Sequence, residues 1–174
     1  MATATKNKKN GISQSALVAP LTQFRPIGDL RINPNNVRTH SKKQIRQIAN
    51  SIEEFGFAVP ICVDENGFIL AGHGRLQAAQ LLGLKTVPVV QVVGLSEARK
   101  RAFMLADNKI ASNAGWDLER LAHEVQELSE LLSAEDLGIA VTGFESIEVD
   151  QLISDFEEDS ADPADGTDPA TVRR

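Results

Sequence analysis

Apolar residues recur along the middle of the chain with two different periods, and the period changes from segment to segment. Ile45, Ile48, Ile52 and Phe55 repeat at helical spacing; Ser41 stands ahead of them as an N-cap with Gln44 three residues on as a capping box, and Gly56 suits the C′ position. This pattern predicts a helix. Pro60 to Asp64 and Phe68 to Ala71 are short apolar runs separated by Glu65-Asn66-Gly67, whose Asn-Gly step favours a hairpin turn, so the two runs read as paired strands. Leu76 to Leu82 predicts a compact helix closed by Gly83, and Thr86 to Val93 is the most β-branched stretch of the chain. Pro88 lacks a donor, which puts that strand at an edge or Pro88 at its beginning. Upstream, Ile27 to Ile32 reads as a strand stopped by Asn33-Pro34-Asn35-Asn36. Downstream, Ser96 caps a helix carrying Ala98, Ala102, Phe103 and Leu105, and Asp117 caps one with Leu118, Leu121, Val125 and Leu128 on one face. Val149, Leu152, Ile153 and Phe156 mark a last amphipathic segment. The predicted class is α+β: a small mixed β-sheet with packed helices, then a helical C-terminal segment.

The flanks lack such periods. Residues 1–24 are polar and rich in small side chains and read as a disordered arm; residues 157–174 carry four aspartates and two prolines and read as an acidic linker or tail leading to a further domain. Between them, residues 25–112 form the expected principal domain and 113–156 a helical extension. No apolar run approaches the ~20 residues of a membrane span, and the N-terminus lacks the apolar core of a secretory signal, so a cytoplasmic protein is expected. Cys62 is the only cysteine and cannot form an internal disulfide.

The net charge of −6 conceals a strong asymmetry. Residues 1–110 hold 15 Lys+Arg against 7 Asp+Glu, giving +8, whereas residues 111–144 hold 1 against 7, giving −6. The basic part favours an anionic partner, though it is also compatible with ordinary surface charge.

Within that basic part, Ala71-Gly72-His73-Gly74-Arg75 sits where a buried strand gives way to a helix. Two glycines let the backbone turn tightly, the helix N-terminus adds partial positive charge, and Arg75 supplies a fork that matches phosphate oxygens. Neither the Walker A nor the dinucleotide spacing is present, and the same residues also suit a plain strand-to-helix turn. His73 could donate to a phosphate or act as a base, or serve as a surface hydrogen-bonding residue. Asp107-Asn108 near the end of the Ser96 helix could hold Mg²⁺ beside a phosphate, or be its polar end. Arg38 and His40 approach the same region. A Ser/His/Asp triad, a zincin motif and an apolar-flanked carboxylate pair are all missing.

In order, NPNNVRTHSKKQIRQIANSIEEFGFAVPICVDENGFILAGHGRLQAAQLLG and ADNKIASNAGWDLERLAHEV resemble the ParB/sulfiredoxin superfamily over about residues 25–156. The resemblance is closest to ParB-like N-terminal domains found ahead of DNA methyltransferases in phage and bacterial mobile elements. It implies that Gly72 to Arg75 bind the triphosphate of a nucleotide, CTP or ATP, that Asp107 and Asn108 lie at its Mg²⁺, and that Arg38 and His40 belong to the upstream nucleotide-contacting segment. ParB proteins usually have Glu-Arg where this chain has His73-Gly74. Sulfiredoxin places its catalytic cysteine where His73 stands, which disfavours peroxiredoxin repair. Relatives that phosphorylate free serine have a histidine loop of this kind, but their acidic residue after the upstream histidine is Ser41 here.

The implied function is a nucleotide-binding module in a DNA-associated process, accessory to a DNA methyltransferase or a partition-type system. A phosphotransferase or a ParB-like nuclease using His73 is the alternative, and homodimerisation stays open. No helix-turn-helix is evident, and the acidic balance after residue 110 argues against a groove-reading helix. No methyltransferase motif lies within the chain.

Overall fold

Two antiparallel pairs, one of them a hairpin, and one parallel seam build the sheet. In a computed structural model, which describes residues 21–161 with side chains through Phe156, the strands are β1 (Thr22–Pro26), β2 (Ile61–Val63), β3 (Ile69–Ala71) and β4 (Thr86–Gln91), in spatial order β1-β4-β2-β3. β1 pairs antiparallel with β4 and β2 with β3, while β2 and β4 run parallel with Ile61 opposite Val89. The parallel seam requires a crossover, and helix α2 (His73–Leu81) supplies it. Ile61, Val63, Ile69, Val87 and Val89, all at most 1% exposed, pack against Leu76 and Ala79 of α2. Each such buried side chain contributes about 1.5–3 kcal/mol over leaving it in water.

Helix α1 (Lys42–Phe55) lies on α2, with Ala49 and Ala78 fully buried where the helices meet and Ile45, Ile48, Ile52 and Leu82 around them. The Ser41 hydroxyl accepts from the Gln44 N–H at 3.1 Å, as its position predicts. Helix α3 (Glu97–Ser112) is capped by Ser96, and α4 (Leu118–Ala134) by Asp117, each accepting from the N–H three residues on. With α5 (Ser146–Ala161) and a 3-10 turn at Ile139–Thr142, α4 forms a second small core of Val125, Leu132, Ile139 and Val149. This unit docks on α1 through Gln47 Nε2, which donates to the Gly143 carbonyl at 2.9 Å, and a Lys43–Glu145 ion pair. Among the described residues no helix is long and apolar enough to cross a membrane.

Several expectations are corrected. Ile27 to Ile32 is not a strand: a 3-10 turn over Ile27–Asp29 is followed by a single bridge from Arg31 to Phe68. Ile27 and Leu30 still face the core, because an i, i+3 pair eclipses on a 3-10 turn. The strand lies earlier, so Thr22 to Phe24 belong to β1 and not to the arm; the arm before residue 21 lies outside the described residues. Pro88 is in an interior strand, opposite Phe24, but the ladder with β2 begins only at Val89. At Pro88 the strand therefore has a neighbour on one side only, where a missing N–H is tolerated. α2 starts three residues before Leu76. On α3, Ala98, Ala102 and Leu105 are exposed, and the buried stripe is Lys100 and Met104. Leu118 is 63% exposed and does not share the buried face of α4. The backbone of α5 runs to Ala161, so the assigned tail begins as helix; the rest of the tail lies outside the described residues.

Candidate functional site

The chain turns from β3 into α2 within one residue. Gly72 has φ 99° and ψ 25°, a left-handed conformation that only glycine adopts without strain. A Cβ there would also lie 3.1 Å from Arg75 Nη1 and 3.3 Å from Ile61 Cγ1. The first helical bond runs from the Leu76 N–H to the Gly72 carbonyl, so the N–H groups of His73, Gly74 and Arg75 precede the ladder and form the positive end of the helix.

The second glycine has a different reason. Gly74 is buried, and a Cβ on it would lie 3.0 Å from Ile48 Cδ1, and 3.1 Å from Cε1 and 3.2 Å from Nδ1 of His40. The missing side chain is what lets the His40 ring rest on the first turn of α2. His40 Nδ1 is 2.9 Å from Gln44 Oε1, so the ring donates there and its Nε2 is the free acceptor when neutral. Gln44 thus positions His40 and does not close a reciprocal capping box.

His73 is 7% exposed, and among the described residues its Nε2 is the buried side-chain polar atom that has no hydrogen-bond partner. Burial, and secondarily the neighbouring His40, push its pKa below the usual histidine value, so the ring is neutral at pH 7. Arg75 Nη1 donates to the Pro60 carbonyl at 3.3 Å, which leaves most of the guanidinium donors available. Asn108 Nδ2 donates to the Met104 carbonyl at 2.8 Å, leaving its Oδ1 as an acceptor beside the exposed Asp107.

All eight residues singled out in the sequence line one pocket of about 140 Å³: Arg38, His40, Gly72, His73, Gly74, Arg75, Asp107 and Asn108. They come from the segment before α1, the start of α2 and the C-terminal half of α3. Sequence reasoning missed Asn36, which also lines the pocket. Its Oδ1 accepts from the Arg38 N–H at 3.2 Å and its Nδ2 donates to the Arg38 carbonyl at 2.9 Å, clamping the backbone that carries Arg38. The signal for it was the N-x-R spacing. Cys62 also lies close by: burial and then the Asp107 charge push its thiol pKa up while Arg75 opposes them, so it is a protonated thiol and a poor nucleophile.

As a metal site the pocket is of one kind only. No group of three or more His, Cys, Asp or Glu is placed to hold a metal among the described residues. One carboxylate and one amide oxygen suit Mg²⁺, which keeps waters and takes its remaining ligands from substrate phosphates. A larger cleft of about 510 Å³, between α1, the Phe57–Val59 loop and the 3-10 turn near Val141, shares Ile48 and Arg75 with this pocket.

The sequence matches the ParB N-terminal domain over residues 8–109. The chain belongs to that family. The ParB-like nuclease domain-containing protein YnaK of Escherichia coli K12 is 42% identical over 78 residues, covering 45% of this chain and 90% of YnaK. Stage 0 sporulation protein J of Bacillus subtilis is 38% identical over 86 residues, covering 47% of this chain but 30% of that protein. The chain thus spans only about a third of the length of this protein and of the probable chromosome-partitioning protein ParB of Treponema pallidum, to which it is 31% identical over 111 residues. In structure it is similar to C-terminally truncated ParB from Caulobacter crescentus complexed with CTP-γ-S, with TM-score 0.63, 26% identity and 76% of each chain covered.

Proposed function

We propose that this ParB-family chain binds a nucleoside triphosphate with Mg²⁺, CTP foremost and ATP as the alternative, and uses it to switch an association with DNA or with a DNA methyltransferase domain. One observation carries the reading: residues from three separate segments converge on a single pocket at the N-terminus of α2, with an arginine from each of two segments and a carboxylate from the third. The α2 N–H groups and Arg75 would take the phosphate oxygens, Arg38 from the segment before α1 would neutralise further charge, and Asp107 with Asn108 would hold the metal. The similarity to a ParB solved with a CTP analogue supports CTP as the first nucleotide to test. The binding unit is taken as residues 25–112, with 113–156 as an extension that could report its state.

Titration calorimetry of the full chain with CTP, ATP, GTP and UTP, with and without Mg²⁺, tests the proposal. Micromolar binding of one nucleotide that weakens without Mg²⁺ is the expected result. Absence of heat from all four in folded protein refutes it.

A second reading, phosphoryl transfer or nuclease action, is favoured by one feature: a buried, neutral histidine with an unpartnered Nε2 in a phosphate-sized pocket. There His73 would act as general base or phosphate ligand. Turnover of nucleotide or DNA that disappears in His73→Ala separates this reading from a pure binding module.

A further inference from the structure

Lys100 is 6% exposed, an unusual place for a lysine, and its ammonium is surrounded. Nζ lies 2.9 Å from Asp64 Oδ2, 3.0 Å from Glu65 Oε2 and 3.1 Å from Glu97 Oε1. Asp64 is itself fixed at the β2–β3 turn, where its other oxygen accepts from the Asn66 and Phe68 N–H groups at 2.9 Å. Glu65 extends the anchor by accepting from the Gly94 N–H at 2.8 Å in the loop that leads into α3. A buried ammonium is costly to desolvate, so such a cluster is weak evidence of a stability device and better evidence of a fixed geometry.

What it fixes is α3. Lys100, Met104 and Asn108 recur every four residues and form the inward stripe of that helix, whereas Leu105 and Ile110 are 57% and 69% exposed. Few apolar contacts therefore set the tilt and the axial position of α3. Asn108 stands two turns beyond Lys100 on the same stripe, about 12 Å along the axis at 1.5 Å per residue. There it bonds the Met104 carbonyl and, with Asp107, walls the phosphate pocket.

We infer that Lys100 is a positioning residue: pinned between Asp64 and Glu65 of the β2–β3 turn, it sets where α3 holds Asp107 and Asn108 over the α2 N-terminus. The inference rests on the nucleotide-and-Mg²⁺ reading of the pocket. It assigns Lys100 no contact with the ligand. Loosening the pin should remove the part of affinity that depends on Asp107 and Asn108 and spare the part that depends on Arg38 and Arg75.

The experiment compares nucleotide affinity of the full-length protein in Mg²⁺ and in EDTA for wild type, Lys100→Met, Lys100→Arg and the double variant Asp64→Asn/Lys100→Met. The double variant leaves no unpaired Asp64 carboxylate, so it stays informative should Lys100→Met alone not fold. Lys100→Met, or the double variant in its place, should lose at least fivefold in the Mg²⁺-dependent gain while its affinity in EDTA stays within about twofold of wild type. Lys100→Arg should restore the gain. Equal losses in both conditions, or an unchanged gain in a folded variant, overturn the inference. Hydrogen exchange without nucleotide is the second readout: faster exchange confined to residues 97–112 is expected, and unchanged exchange there overturns the pin. A wild-type protein that binds no nucleotide refutes the pocket's reading instead, and the exchange result still decides whether Lys100 fixes α3.

Discussion

Gly72→Ala separates backbone strain from packing at the pocket. Any alanine at φ 99° leaves the ordinary region of backbone space, at about 1–3 kcal/mol. Its Cβ would also press on Ile61, at 3.3 Å from Cγ1 and 3.4 Å from Cα, and Ile61 is fully buried in β2 between two paired strands. The third contact, Arg75 Nη1 at 3.1 Å, is the end of a flexible side chain and can withdraw. Overpacking against a fixed neighbour costs roughly 1–3 kcal/mol. The expected total is about 2–6 kcal/mol, and at about 2–4 °C per kcal/mol for a chain of this size the melting temperature should fall by roughly 4–24 °C. Gly83→Ala is the control: its φ is 68°, but nothing lies within 4 Å of the added Cβ, so only strain of about 1–2 kcal/mol applies. Urea unfolding followed by far-UV circular dichroism compares the two. If Gly72→Ala is no more destabilising than Gly83→Ala, the close approach of the turn to Ile61 is without consequence and the packing argument fails.

Arg75→Ala should weaken nucleotide binding by about tenfold to a hundredfold, since charge-assisted hydrogen bonds contribute ~1.5–3 kcal/mol, and should barely change the urea midpoint. Arg75→Lys should recover only part of the affinity because a point charge cannot reproduce the planar fork; unchanged affinity in Arg75→Ala at matched salt counts against the phosphate cradle. Burial alone would raise the Asp64 pKa, but Lys100 and two backbone N–H groups outweigh it and hold the carboxyl below its ordinary value. Its contribution to stability is therefore present above the unfolded value of about 3.9 and is lost as pH falls through the lower folded pKa, so Asp64→Asn should flatten acid unfolding there. His73 works at higher pH: its lowered pKa means that the unfolded chain binds the proton first, so stability should fall as pH drops from about 6.5 towards the folded value. His73→Gln should flatten that slope, and a slope that persists in this variant assigns it to another group.

Elements whose sequence signal is local were legible. The Ser41 cap, the Asn66-Gly67 turn and the Ile45, Ile48 and Ile52 part of the α1 stripe need only neighbouring residues, and each stands in the structure where its pattern places it; Phe55, at the end of the helix, is 56% exposed and leaves the stripe. What failed depends on contacts distant in sequence. Ile27 and Leu30 look like strand residues because they are apolar, but Ile27 N–H bonds the Lys85 carbonyl and the chain turns there instead of extending. Pro88 looks like an edge residue until the offset between β1 and β2 along β4 is known. On α3 the apolar residues mislead, because a lysine occupies the buried stripe and satisfies its charge with carboxylates 35 and 36 positions earlier. No hydrophobic period registers such a residue.

The pocket residues were singled out for a different reason: taken singly each also suits a plain turn or a helix end, and their order along the chain, resembling the ParB N-terminal domain, joins them. A strand-to-helix turn requires one left-handed glycine, and Gly72 supplies it. It does not require the second, since Gly74 has ordinary helical geometry and a glycine there weakens the helix by about 0.5–1 kcal/mol relative to alanine. The structure locates the compensation in the close approach of Ile48 and of the His40 ring, which a Cβ on Gly74 would crowd, the ring being held there by Gln44. The two histidines and the second glycine are therefore one arrangement: His40 sits over Gly74, and its proximity helps keep His73 neutral. At positions 73 and 74 this chain thus has an imidazole held neutral and a glycine against which a second imidazole packs. The lysine or arginine charge lining the pocket then rests on Arg38 and Arg75, so under the proposed reading a cation at Asp107 and Asn108 would supply the remaining countercharge for a phosphate.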